Sequence, residues 1–178
     1  MQTSLPSTAP TSIDSADLQE LTSAVATVFS QRGWTLAVAE SCTGGLLAAS
    51  LTDLAGSSQW FERGYVTYSN AAKAACLQVS PMLIEAEGAV SEAVARAMVL
   101  GVQLSSGVTA AISITGIAGP SGGTPEKPVG TVCFGWAVER VDASNHITTT
   151  TAYFLGDRQS VRQQAVVFAL RGLLQSIA

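Results

Sequence analysis

Apolar residues in the first third of the chain recur at helical spacing and then switch to short unbroken runs. Leu18, Leu21, Val25, Val28 and Phe29 predict a helix with one face inward. Asp14 stands at its cap position with Asp17 three residues on, and Gly33 stops it. Residues 34–39 are short and apolar and predict a buried strand. Residues 41–45 form a turn, and 46–54 continue as a helix of small residues ended by Gly56-Ser57-Ser58. Residues 60–68, rich in aromatic and β-branched side chains, predict a second strand. Gly64 inside it suggests a bulge or a close approach of backbone to ligand. Ser69-Asn70 then opens a short helix, and Ser80-Pro81 opens another with Pro at its first position, broken at Gly88. Ser91-Glu92 starts a longer helix to about Ser105, with Val94, Met98 and Val102 on one face.

Residues 109–114 read as a further buried strand, followed by a long loop, 115–128, rich in glycine. Residues 131–138 and 147–155 read as two strands, with the polar stretch 139–146 between them as a hairpin. Asp157 caps a last helix whose Val161, Ala165, Phe168 and Leu173 point inward. Strands and helices alternate at first, and then two strands pair locally. That order predicts one three-layer α/β domain with a mixed sheet over residues 14–178. Residues 1–13, rich in Ser, Thr and Pro, lack the basic start and apolar stretch of a signal peptide and read as a disordered leader.

Composition narrows the function. Apolar residues make up 47% of 178 and charged ones 12%, so the chain is core-rich. With so little charge, some apolar surface is expected to be covered in a homodimer. Nine basic residues against thirteen acidic ones leave no footprint for nucleic acid. No apolar run is long enough to span a membrane. Three widely spaced cysteines, with one histidine, argue against a zinc site or a disulfide framework and for reduced thiols in a cytoplasm.

The chemistry concentrates in Ala39-Glu40-Ser41-Cys42-Thr43-Gly44-Gly45. A strand ending in a tight turn before a helix places a small nucleophile at the strand's edge and aims free backbone N–H groups at whatever sits there. Ser41 is either that nucleophile or only a helix cap. A serine needs a base. His146 lies in the polar hairpin and reads as a surface residue, so a Ser-His-Asp triad is not expected. Lys73, in an otherwise apolar helical turn, can serve if burial lowers its pKa; otherwise it is an exposed helical lysine. Cys42 is a rival nucleophile or a small buried hydrophobe. Glu40 could bind substrate, orient Lys73, or interact with the next helix's N-terminus. Thr115 and the loop after it could offer hydroxyl and backbone donors to an anion. Arg158 and Arg162, four apart on one helix face, could clamp a phosphate or be solvated.

These stretches occur in a recognisable order. Ala39 to Gly45, then Gly64-Tyr65-Val66-Thr67-Tyr68-Ser69-Asn70 with Lys73, then Thr115-Gly116-Ile117-Ala118-Gly119-Pro120 with Lys127-Pro128-Val129-Gly130-Thr131, closely resemble the CinA C-terminal domain family over about residues 15–177. The resemblance implies a three-layer α/β/α fold, for which a mixed, mostly parallel sheet is expected, and the stand-alone form of the domain. It implies hydrolysis of nicotinamide mononucleotide to nicotinic acid mononucleotide and ammonia, in pyridine-nucleotide recycling, without metal or cofactor. Ser41 would be the nucleophile and Lys73 its base. Backbone N–H groups of Cys42, Thr43 or Gly44 would hold the oxyanion. Thr115 with Gly116, Gly119 and the rest of the glycine loop would line the substrate site, and Tyr68 and Asn70 would shape it. The acidic residue often found after Tyr-Ser-Asn in the family is Ala71 here.

Overall fold

A central strand buried from end to end organises the sheet. In the computed structural model, which describes residues 15–139 and 145–178, β1 (Leu36–Glu40) has every residue buried because strands flank it on both sides and helices cover both faces. The chain runs α1 (Ser15–Arg32), β1, α2 (Leu46–Thr52), β2 (Phe61–Val66), α3 (Asn70–Leu77), α4 (Pro81–Glu87), α5 (Glu92–Ser106), β3 (Ala110–Gly116), β4 (Thr131–Glu139), β5 (Asn145–Tyr153) and α6 (Arg158–Ser176). The leader 1–13, the Asp14 cap and residues 140–144 of the expected hairpin lie outside the described residues. Sheet order is β2-β1-β3-β4-β5. β1 pairs in parallel with β2 and β3, whereas β3–β4 and β4–β5 are antiparallel, so the sheet is mixed with its pairings evenly divided.

The alternation of side chains along each strand sorts them into two unlike layers. Leu36, Val38, Ile112, Ile114, Phe134 and Trp136 face α1, α2 and α6, where Val25, Phe29, Leu47, Leu51, Val161, Ala165 and Leu173 meet them. Phe168 is partly buried against that cluster. Trp136 donates its indole N–H to the Ala169 carbonyl at 2.8 Å. The opposite face is small: Ala37, Ala39, Ala111 and Ala137 pack on Val94, Met98, Val99 and Val102 of α5. Small side chains let α5 lie close, and a Cβ at Gly135 would stand 2.7 Å from Ser113 Oγ and 2.9 Å from the Ala95 carbonyl oxygen. Ser113 Oγ donates to that same carbonyl at 2.7 Å.

Gly64 departs from the sequence-based expectation. The register shift in β2 falls between Phe61 and Arg63, so the extra residue is Glu62, and Gly64 sits in register with Val38. A Cβ at Gly64 would lie 3.0 Å from the Ala48 Cβ. The glycine therefore admits helix α2, not a ligand. Several strand limits also shift: β1 begins at Leu36 and β5 ends at Tyr153.

The topology opens a crevice. From β1 the chain turns to β2 on one side, and later returns to β3 on the other. The C-terminal ends of parallel strands diverge at such a switch point, where open α/β sheets place ligands.

Candidate active site

Ser41 follows β1 directly, at that switch point. Its N–H donates to the Ile114 carbonyl of β3 at 2.9 Å, and its own carbonyl accepts the Gly44 N–H at 3.0 Å. Gly44 and Gly45, at φ 58° and 95°, supply left-handed backbone that residues with a Cβ disfavour. Glu40, 1% exposed, completes the turn. One carboxylate oxygen accepts the Gly45 and Leu47 N–H groups at 3.1 and 3.0 Å, and the other accepts that of Ala48 at 2.8 Å. Of the roles open to it in sequence, Glu40 thus meets the start of α2, and its oxygens do not approach Lys73 within ion-pair distance. The amides at the start of α2 are taken up within the turn, that of Leu46 by the Thr43 carbonyl and those of Leu47 and Ala48 by Glu40.

Helix α3 delivers Lys73. Ser69 caps it, accepting the Ala72 N–H at 3.0 Å. Lys73 is 1% exposed, and its Nζ lies 3.1 Å from Ser41 Oγ and 2.9 Å from the Thr67 carbonyl oxygen. No carboxylate among the described residues pairs with it. Burial without a counter-ion disfavours the charged amine and holds its pKa below the ordinary lysine value, against a smaller opposing influence of Cys42. A lysine so placed can take a proton from the serine it touches. Cys42, 5% exposed, has its thiol pKa pushed up to about 12, chiefly by burial, and so stays a neutral thiol.

These residues line a pocket of about 350 Å³. Of the residues singled out in sequence, Ser41, Cys42, Tyr68, Asn70, Lys73, Thr115, Gly116, Gly119 and Arg158 form its wall. Glu40, Thr43 and Gly44 shape the Ser41 turn itself and Arg162 bonds to it, and none of the four lines the pocket. Arg158 Nη1 donates to the Gly119 carbonyl at 2.9 Å and Nη2 to the Tyr68 hydroxyl at 2.8 Å, joining three chain segments around the mouth. Thr115 Oγ1 donates to the Ala89 carbonyl at 2.8 Å, so towards the pocket it acts as an acceptor and not as the donor expected. Arg162 Nη2 donates to the Thr43 carbonyl at 2.7 Å. The two arginines do not form a common clamp, although their spacing puts them on one face.

Sequence reading missed Ala89 and Val90, which line the pocket from the link between α4 and α5. The available signal was positional: two apolar residues between a stop at Gly88 and the Ser91 cap. Among the described residues no group of His, Cys, Asp and Glu is placed to hold a metal ion, and no helix is long and apolar enough to cross a membrane.

Fold and site together define an α/β domain with a buried serine–lysine pair at the C-terminal ends of its parallel strands. The chain belongs to the CinA C-terminal domain family, whose model matches residues 18–177. It is 50% identical over 158 residues to the nicotinamide-nucleotide amidohydrolase PncC of Enterobacter agglomerans, covering 89% of this chain and 94% of that one. To the protein of the same name from Escherichia coli K12 it is 47% identical over 160 residues, covering 90% and 94%. The crystal structure of the competence/damage inducible protein CihA from Agrobacterium tumefaciens superposes with a TM-score of 0.86 at 37% identity, covering 94% of this chain and 99% of that chain.

Proposed function

We propose that the chain hydrolyses the carboxamide of nicotinamide mononucleotide to nicotinic acid mononucleotide and ammonia. One observation carries the reading: Lys73 Nζ and Ser41 Oγ stand 3.1 Å apart, both buried, in a chain half identical to a nicotinamide-nucleotide amidohydrolase. Neutral Lys73 takes the Ser41 proton as Oγ attacks the carboxamide carbon. Ser41 and Gly44 have spent their amides on carbonyls, whereas those of Cys42 and Thr43 donate to no backbone acceptor among the described residues. These two are the donors for the oxyanion. The lysine, now protonated, passes its proton to the departing amine and ammonia leaves. Water, deprotonated by Lys73, then cleaves the ester and frees the carboxylate and Ser41.

Thr115, its own proton engaged by Ala89, accepts from the carboxamide N–H. The phosphate lies between the glycine loop and Arg158, whose guanidinium has no carboxylate partner among the described residues. This reaction needs no metal or cofactor, and its partner is a small nucleotide. We place the enzyme in the cytoplasm, where its three free cysteines stay reduced, and assign a homodimer from its low charge. The described residues 15–139 and 145–178 form the catalytic domain.

The test is ammonia release from nicotinamide mononucleotide, with the riboside and the dinucleotide as comparators. Faster turnover of the mononucleotide than of the riboside supports both the reaction and the phosphate subsite. No release from any of the three rejects the assignment.

A further inference from the structure

Arg162 sits one helical turn beyond Arg158 yet reaches the opposite side of the nucleophile turn. Its Nη2 donates to the Thr43 carbonyl at 2.7 Å, and a Cβ at Gly44 would come within 3.6 Å of the same atom. Its Nε is shut off from solvent with no hydrogen-bond partner, and Thr43 Oγ1 is in the same condition. The ion pairs among the described residues are Arg63–Glu62 and Arg171–Asp17, so no carboxylate neutralises Arg162. Glu40, on the same turn, gives its oxygens to the Gly45 amide and to two amides of α2. A half-buried cation without a counter-ion is costly, and removing it from a purely structural site in favour of an apolar residue would often stabilise. Its presence calls for a use.

We propose that Arg162 is a positioning residue for the reaction, one that rests on the reading of Ser41 as nucleophile. It holds the plane of the Thr43–Gly44 peptide. Rotating that peptide would break three bonds at once: Arg162 to the Thr43 carbonyl, the longer bond from the Leu46 N–H to that carbonyl at 3.2 Å, and Gly44 N–H to the Ser41 carbonyl. With the plane fixed, the preceding amides of Cys42 and Thr43 keep one orientation relative to Ser41 Oγ. The guanidinium also leaves an unbalanced positive charge behind these amides. Negative charge developing on the substrate oxygen is favoured by that field, which is in place before the reaction begins. Arg158 and Arg162 thus divide the work that their spacing suggested they would share. Arg158 faces the ligand, and Arg162 fixes the turn that attacks it.

The experiment uses Arg162→Gln and Arg162→Lys in the full chain, with melting curves to establish that each folds. Steady-state rates on nicotinamide mononucleotide and its riboside are compared with the rate at which a fluorophosphonate labels Ser41. Arg162→Gln is expected to lower kcat by about 10- to 100-fold, less than the loss of a direct oxyanion donor. KM should stay within about twofold, both substrates should lose equally, and labelling should slow by a similar factor. Arg162→Lys should recover part of the rate, since it keeps the charge but not the fork. A KM increase confined to the mononucleotide would mean that Arg162 binds phosphate, and an unchanged kcat would mean that its bond only packs the helix. Either overturns the proposal. If the wild type releases no ammonia, the assigned reaction fails, yet slower labelling of Ser41 in Arg162→Gln still upholds the role of Arg162 and normal labelling rejects it.

Discussion

The two walls of the pocket are built by opposite means. On one side Ser41, Lys73 and Thr115 are buried at 8%, 1% and 1% exposure, and each is held by a bond to a carbonyl of a neighbouring segment. On the other side stand the glycine loop, Arg158 and Tyr68, with Tyr68 60% exposed. Their mutual contacts are long side chains reaching backbone or hydroxyl groups across open space. In the proposed reaction the difference follows from the tasks. Proton transfer needs a fixed distance and a dry environment, because misplacement by about 1 Å can cost about 100-fold. Holding a hydrated phosphate needs charge and reach, and tolerates movement. Changes in the first wall should therefore appear in kcat and changes in the second in KM.

The severest break of that division is Ser41→Ala. Loss of the nucleophile should cut kcat by at least about 10³-fold, while the small volume change leaves the fold and mononucleotide binding intact. Cys42→Ala serves as its control, since a thiol whose pKa lies near 12 is no nucleophile at neutral pH. Ammonia-release rates decide: a dead Cys42 variant beside an active Ser41 variant would reverse the assignment.

Lys73→Met comes next, with an expected loss of about 10²- to 10⁴-fold in kcat, the usual worth of a general base. Stability supplies an independent readout. Lys73 in the folded chain has a pKa below the 10.5 of an ordinary lysine because burial disfavours its charge. Between the two values the unfolded chain binds more protons, so stability rises with pH through that window, and the contribution is lost again as pH falls through the folded value. The variant lacks this rise. Denaturant unfolding at neutral pH and just below 10.5 should show the wild type gaining on Lys73→Met at the higher pH. Parallel curves would mean that the amine is charged in the folded protein.

How much of this was legible in the chain depended on range. The turn at Ser41 was visible because its causes are local: an apolar run, small residues, two glycines and a helix. The three layers were visible for the same reason, in the order of strands and helices along the chain. Lys73 was different. The short helix that carries it is compatible with an exposed lysine, and its burial is decided at long range, where α3 packs on α5 and Lys73 reaches Ser41 and the Thr67 carbonyl. Only the resemblance through Tyr68, Ser69 and Asn70 pointed to it. Arg158 and Arg162 show the limit of spacing arguments. Four residues apart they do share a face, but long side chains leave it in different directions, and local pattern carries no trace of that. Ala89 and Val90 escaped because they contribute shape without chemistry.

Glu40→Gln tests whether the first wall is rigid by design of its turn. The carboxylate accepts three N–H groups, and an amide has one acceptor oxygen. The expected cost is about 2 kcal/mol of stability, from losing bonds to a charged group. A drop in kcat of several fold would accompany it as the turn loosens, read from melting and rates together. A stable variant with lowered kcat alone would place Glu40 in proton transfer instead.

Arg158→Gln should strike the second wall. KM for nicotinamide mononucleotide should rise about tenfold, in the range of one charge-assisted bond, with kcat little changed and the riboside indifferent. An equal loss on both substrates would show that Arg158 acts on the pyridine ring's side of the pocket.

Lys127 gives the mildest test. Its Nζ donates to the Glu87 carbonyl at the end of α4 at 3.0 Å, and its backbone closes a turn with Thr124, whose N–H donates to the Lys127 carbonyl at 2.9 Å. That one contact ties the far end of the glycine loop to the segment that continues into Ala89 and Val90. Because Lys127 touches neither the pocket nor the nucleophile turn, its effect must pass through loop position. An exposed bond of this kind is worth about 1 kcal/mol or less, and a loop released by that amount should raise KM by about two- to fivefold and leave kcat unchanged. Lys127→Met is the variant, with Lys127→Arg expected to restore KM. A fall in kcat without a change in KM would mean that the loop helps to hold the reacting groups, and the division of labour between the two walls would not stand.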